Sequence, residues 1–449
     1  GGAGKVMDFV ASGTLPNGKA VVLKADGTVE VVGISSLPTS IPAGSEAIFN
    51  AGYSEYTSAA FDPNTAGKFV VAYQDKDSPT ANAFTGTVVV GIVSGTSITF
   101  SSEYVFDTSG AKDVSLSFDP NTANKFVVAY QNSGNSGYGT AIVGTVSDTS
   151  ISFGTKVVYN SSSSGYNSVA FDPNTAGKFV VVYQDDGNSA YGTAVVGTVS
   201  GTSISYGSEV VFNSGDTRYS NISFDPNTAN KFVVTYMDNS NGNYGTAIVG
   251  TISGTSTSYG SEVVFNSGST HYTPVSFDPN TANKFVVAYR DTGNLTYGTA
   301  CVGTVSGTSI SFGSEVVFSS TNSTYMTVSF DPNTTNKFVV AYRDGGNGNY
   351  GTAIVGTISG TSTSYGSASV FNSGASYYTS VAFDPNTAGK FVIAYRDNGN
   401  SDYGTAIVGQ IAASATNLTS TNFVGITSKA ISDTATGSIT LQGGVSTNQ

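Results

Sequence analysis

The phrase Phe-Asp-Pro-Asn-Thr occurs seven times along the chain, beginning at Phe61, Phe118, Phe171, Phe224, Phe277, Phe330 and Phe383. After one interval of fifty-seven residues, every interval is fifty-three. A fixed period of this length admits few architectures: a propeller, a solenoid or an array, in which each copy buries its apolar face against its neighbours. The copy at 208–256 contains four short β-rich runs, "SEVVFNS", "SNISF", "KFVVTYM" and "YGTAIVGTIS". Turn-forming residues separate them, and no stretch carries a capped helical pattern. Four antiparallel strands in each of seven copies predict an all-β fold, a seven-bladed β-propeller.

The ends favour a ring over a solenoid, which needs atypical capping repeats. "SEAIF" at 45–49 stands before the first copy. After "YGTAIVGQIAAS" at 403–414 the matching strand is missing. Residues 42–49 are therefore expected to complete the last blade as its outermost strand, which removes two exposed sheet edges. The propeller is assigned to 35–417. Residues 1–34, with a hairpin over "KAVVLKADGTVEVVG", and residues 418–449 are expected as small β appendages.

Composition narrows the function. Net charge is −12 and charged residues make up only 11%. A nucleic-acid or anionic-membrane binder needs the opposite sign. No apolar run is long enough to span a bilayer as a helix. The one cysteine, Cys301, replaces Ile or Val of other copies and reads as a small buried hydrophobe. With a single histidine, His271, a His-containing triad is nearly excluded, and no Cys/His cluster exists for zinc. The Asp/Asn/Gly loops lack the spacing of a calcium loop. No cofactor or metal is expected.

The repeated Asp-Pro-Asn reads as a turn, with Asp accepting from backbone N–H groups and Pro presetting φ. These turns and the following lysines fall on one face; the copies differ on the other. Five residues before each Phe stand Tyr56, Asp113, Tyr166, Tyr219, Tyr272, Tyr325 and Tyr378. Tyrosine offers an apolar plate and a hydroxyl, which suits sugar stacking, although inter-blade packing also accounts for the pattern. The chain's four arginines, Arg218, Arg290, Arg343 and Arg396, fall on the same face. They suit an anionic glycan or acidic partner, or else local pairing with Asp291, Asp344 and Asp397. The first copy carries four extra residues in "QDKDSPTANAFTGT" (74–87), on the face where binding usually enters a repeat frame.

"LPNGKAVVLKADGTVEVV" and "NFVGITSKAISDTATGSITLQGGV" resemble small β modules of structural proteins of tailed phages, notably those of marine bacteria and cyanobacteria. The resemblance covers roughly 60 of the 449 residues and implies a virion-surface or tail-fibre component. It transfers no catalytic residue. The resulting expectation is a non-enzymatic structural and recognition module, extracellular or on a virion. Its partners would be assembly subunits, a cell-surface glycan, or further copies of itself. The rivals are a propeller-fold glycan hydrolase or lyase, with Glu55 and Asp113 as the visible carboxylate pair, and a purely architectural decoration protein.

Overall fold

A computed structural model describes residues 6–15, 20–31, 41, 44–77, 84–411, 423–427 and 435–440. Part of the expected insertion (78–83), residues 42–43 of the expected closing strand and most of 418–449 lie outside the described residues. The chain divides into two compact units, residues 1–39 with 413–449, and residues 40–412.

The smaller unit joins the two chain ends in one sheet, ordered Val6–Val10, Thr436–Thr440, Phe423–Thr427, Ala20–Leu23, Val29–Val31. The segments expected as separate appendages thus pair with one another. Two strands alone are marginal in water, whereas five share a face. Ala11, Leu15, Val21 and Val29 bury themselves together there. The hairpin at Asp26-Gly27 forms as expected, with Gly27 at φ +80°.

The larger unit is all-β, and its copies repeat one antiparallel pattern. In the copy at Phe224, strand Lys231–Asp238 lies between Thr217–Phe224 and Tyr244–Ser253. Its residues Phe232, Val233, Val234 and Tyr236 are fully buried. Burial of each such side chain contributes roughly 1.5–3 kcal/mol. Gly250 lies against Phe232: an added Cβ would stand 2.1 Å from Phe232 Cζ. The glycine of "VGT" therefore exists to admit the phenylalanine of "KFVV".

One expectation needs correcting. "SEVVFNS" and "SNISF" form a single strand, Val210–Phe224, rather than two. Its first half pairs with Tyr191–Ala194 of the preceding copy and its second half with its own copy. "SGDT" makes an irregularity inside the strand rather than a turn that ends it, and local side-chain bonds brace it: Asn213 accepts from Gly215 N at 3.1 Å and donates to Thr217 Oγ1 at 3.0 Å. The strand breaks only where the residues forbid it, at Pro274 and at Gly110 with φ +105°. A short hairpin strand, Ser256–Tyr259, was also not expected. At the other end of the series, Tyr403–Ala406 pairs with Ala47–Tyr53.

The repeated turn builds frame, not chemistry. Asp225 is fully buried; its Oδ1 accepts from Asn227 N at 2.9 Å, and its Oδ2 from Asn283 N of the next copy at 3.1 Å. Asn227 Nδ2 donates to Pro279 O at 3.2 Å. The same bonds join the last copy to the first: Gly67 N donates to Asp384 Oδ2 at 3.1 Å, and Asn386 Nδ2 to Pro63 O at 3.3 Å.

Buried tyrosines on the second strands need a polar partner. Tyr73, Tyr183, Tyr236 and Tyr395 donate to Glu103, Glu209, Glu262 and Glu46 at 2.7–2.9 Å. Tyr130 departs from this rule. Lys156 stands where those copies have glutamate, and Asp107 stands where they have asparagine. Tyr130 donates to Asp107 Oδ2 at 2.7 Å, and Lys156 Nζ lies 3.1 Å from the same oxygen.

Candidate functional site

The residues five before each Phe form the ring positions; six of them fall at a β-bulge, and Tyr272 stands where the strand breaks. In the first copy Glu55 faces Gln74 and Ser58 faces Ala72, so Tyr56 and Thr57 share one opposing residue. The bulge or break puts Tyr56, Asp113, Tyr166, Tyr219, Tyr272, Tyr325 and Tyr378 in the left-handed region, with φ from 47° to 54°. Such backbone favours glycine, and a bulky residue there costs on the order of 1 kcal/mol or more. Bonds from neighbouring copies hold it. Ser220 Oγ donates to Tyr166 O at 2.7 Å and Thr273 Oγ1 to Tyr219 O at 2.6 Å. Thr379 and Thr57 likewise donate to Tyr325 O and Tyr378 O.

The six tyrosines form one unbroken series of tilted ring contacts. Centroids lie 5.0 Å apart for Tyr166–Tyr219, 5.2 Å for Tyr219–Tyr272, 5.5 Å for Tyr272–Tyr325, 5.2 Å for Tyr325–Tyr378 and 5.0 Å for Tyr378–Tyr56. Asp113 occupies the gap between Tyr56 and Tyr166, its Oδ2 accepting from Tyr166 N at 3.1 Å. All seven line a cavity of about 510 Å³. That is the size range of small-molecule sites. The six hydroxyls have no hydrogen-bond partner among the described residues, unlike those of Tyr73, Tyr183, Tyr236 and Tyr395. Burial pushes the phenols of Tyr56, Tyr166, Tyr219, Tyr272 and Tyr378 up, Tyr166 to about 12. They are neutral hydroxyls at physiological pH, able to donate and accept.

The arginines behave differently from one another. Arg218 is held by Asp216 at 2.8 Å. Arg343 donates from Nε and Nη2 to Asn349 Oδ1 at 3.0 and 2.8 Å and stacks 4.4 Å from the Tyr377 ring centroid. Arg396 is buried between Tyr53 and Tyr377, and pairs with Glu55 at 3.0 Å and Asp402 at 3.3 Å. Of the four, Arg290 alone has no acidic or hydrogen-bonded partner among the described residues, and its Nε is buried without one. None pairs with the next aspartate. Asp291, Asp344 and Asp397 instead accept backbone N–H bonds from Asn294, Gly346 and Gly399. The arginines are therefore not a uniform anion-binding arc, and none lines the cavity.

His271 faces Arg290 across the strands, and its ring packs 5.5 Å from Tyr219. Burial, then Arg290 and Arg218, hold it below the usual histidine value. Glu55 is doubly ion-paired, with Lys76 at 2.7 Å and Arg396 at 3.0 Å, and is not a lining residue. The carboxylate pair weighed for hydrolysis is thus not presented together to the cavity. Cys301 is buried, and burial pushes its thiol far up. The bonding role of Thr57, Ser220, Thr273 and Thr379 was missed; its signal is the hydroxyl residue that follows the ring position in four copies.

No family model matches the chain, and no curated protein matches it. Solved structures do. Sqt1 from Chaetomium thermophilum is similar with a TM-score of 0.50 at 12% identity, covering 80% of this chain and 85% of that one. The BP39L lectin from Burkholderia pseudomallei is similar with a TM-score of 0.57 at 10% identity, covering 82% of this chain and 99% of that one. At such identities the likeness is one of fold.

Proposed function

We propose that the chain is a non-enzymatic carbohydrate-binding β-propeller of seven blades, closed by the strand that begins at Ala47. Three observations support the closure: the pairing of Ala47–Tyr53 with Tyr403–Ala406, the Tyr395–Glu46 bond, and the turn-to-turn bonds from Asp384 and Asn386 to the first copy. The ligand sits in the tyrosine-lined cavity. One observation carries this reading: six tyrosines kept on backbone that disfavours them, with hydroxyls that no group among the described residues uses. Aromatic plates with adjacent donors and acceptors fit the apolar face and hydroxyl rim of a sugar. The neighbour from B. pseudomallei is a lectin by name, which agrees.

Glycan-array screening followed by calorimetry tests the reading. Replacing Tyr219, Tyr272 and Tyr325 together by Phe keeps the rings and removes three hydroxyls. At least a tenfold loss of glycan affinity with unchanged unfolding is expected. Unchanged affinity rejects the site, and shortened polysaccharide after incubation replaces the lectin reading with an enzymatic one. The smaller unit would attach the protein to a virion or other surface assembly. This rests on the resemblance of its segments to phage modules, and mass spectrometry of purified particles tests it.

A further inference from the structure

The cavity has one charged lining residue, Asp113, at the position where the other copies place tyrosine. Its Oδ2 accepts one backbone N–H, from Tyr166, and no cation lies within ion-pair distance among the described residues. Its sequence neighbour Lys112 is exposed and makes no ion pair with it. Tyr56 and Tyr166 line the same cavity, and their hydroxyls have no hydrogen-bond partner among the described residues. The hydroxyl that bonds the ring carbonyl in four copies is replaced by Val114, Asn167 and Met326 in the other three, so the carbonyls of Tyr56, Asp113 and Tyr272 receive no such bond. A carboxylate in a cavity lined by tyrosines attracts a cation by charge, and the ring quadrupoles of the lining add to that attraction. A carboxylate holding one N–H donor has room for a ligand group that supplies more. A neutral sugar's hydroxyls can fill that role, an anionic sugar is repelled, and an ammonium adds charge attraction to its three donors.

We propose that the cavity selects a sugar bearing a protonated primary amine, with the ammonium on Asp113 between Tyr56 and Tyr166. The inference rests on the carbohydrate reading above and narrows it to amino sugars. It departs from the acidic ligand that the arginines alone suggest, since those side chains lie outside the cavity lining and three of the four are occupied.

Calorimetry with a β-1,4-linked glucosamine tetramer, its fully N-acetylated counterpart and butylammonium chloride separates the outcomes. N-acetylation removes the charge and keeps the rings. The amine tetramer is expected to bind at least tenfold tighter than the acetylated one, and Asp113→Asn to abolish that preference. Asp113→Tyr is the second variant: it completes a seventh tyrosine at a backbone position where six others already stand, so it folds, and it must lose the preference too. Equal binding, or preference for the acetylated tetramer, overturns the amine inference and leaves the carbohydrate reading intact. Binding of butylammonium alone, dependent on Asp113, upholds the cation site and overturns the carbohydrate reading. No binding by any probe overturns the amine inference, while the glycan array decides the carbohydrate reading, and a preference that survives Asp113→Asn and Asp113→Tyr overturns the role of Asp113.

Discussion

Exchanging the charges of Asp107 and Lys156 offers a direct test of how the copies specify their cores. Asp107 is 1% exposed and accepts five bonds: Ser109 Oγ at 2.6 Å, Ser109 N at 2.8 Å, Tyr130 Oη at 2.7 Å, Asn132 Nδ2 at 3.0 Å and Lys156 Nζ at 3.1 Å. Lys156→Glu sets a second carboxylate beside this buried one and removes its cation. Breaking a fully buried pair costs about 3–5 kcal/mol. Because the Lys156 side chain is 42% exposed, solvent screens part of that, and a loss of about 2–3 kcal/mol is expected. Asp107→Asn strands the lysine and weakens the charge-assisted bonds, for about 1–2 kcal/mol. The double variant recreates the asparagine and glutamate of the copies around Tyr183 and Tyr236, so it should lie within about 1 kcal/mol of the parent. The coupling is then about 2–5 kcal/mol, at or above the upper end for a contacting pair. Urea unfolding of the four proteins measures it, with coincident probes to check cooperativity in so long a chain. Additive losses in the double variant would refute the argument. Acid supplies an independent check. Burial raises the Asp107 pKa, but the bonds from Ser109, Tyr130 and Lys156 outweigh it and leave it below the ordinary carboxylate value. A depressed folded-state pKa means this stability is present above the unfolded-state value and is lost as pH falls through the folded-state one. The Asp107→Asn protein lacks that component of acid sensitivity.

Further outcomes follow from the same geometry. Gly250→Ala should destabilise by about 3 kcal/mol or more, since the new methyl meets the Phe232 ring; denaturant unfolding reads it. Asp225→Ala removes a carboxylate serving its own turn and the next copy, leaves buried N–H groups unpaired, and should cost about 2–4 kcal/mol, with faster amide exchange at Asn227 and Asn283. Cys301 should resist a thiol reagent such as dithionitrobenzoate in the native protein and react fully in denaturant, because it is 1% exposed and burial raises its pKa.

What was legible in the chain was whatever repeats. Comparing copies exposes strand runs, the turn around Asp225 and the aligned positions of the tyrosines, because identical residues at equal spacing must meet identical surroundings. What stayed hidden depends on which copy touches which. Arg396 meets Glu55, at the opposite end of the larger unit, so its burial is invisible from local sequence. "SGDT" has turn composition, yet pairing with the preceding copy on one side and with its own copy on the other keeps it within one strand. The meeting of Ala20–Leu23 with Phe423–Thr427 likewise has no local signal. Asp113 was visible as a deviation, but that no cation among the described residues forms an ion pair with it emerges only once the neighbours are placed.

The left-handed tyrosines have a consequence for anyone wishing to harden this scaffold. Glycine is the residue such dihedrals welcome, so substituting it at Tyr219 or Tyr272 relaxes local torsion while stripping the aromatic wall. On the carbohydrate-binding proposal, robustness and recognition then pull in opposite directions at the same few positions. A thermostabilised variant selected without any ligand present should shed rings from the mouth first, and the order in which they vanish would rank their importance to whatever the opening receives.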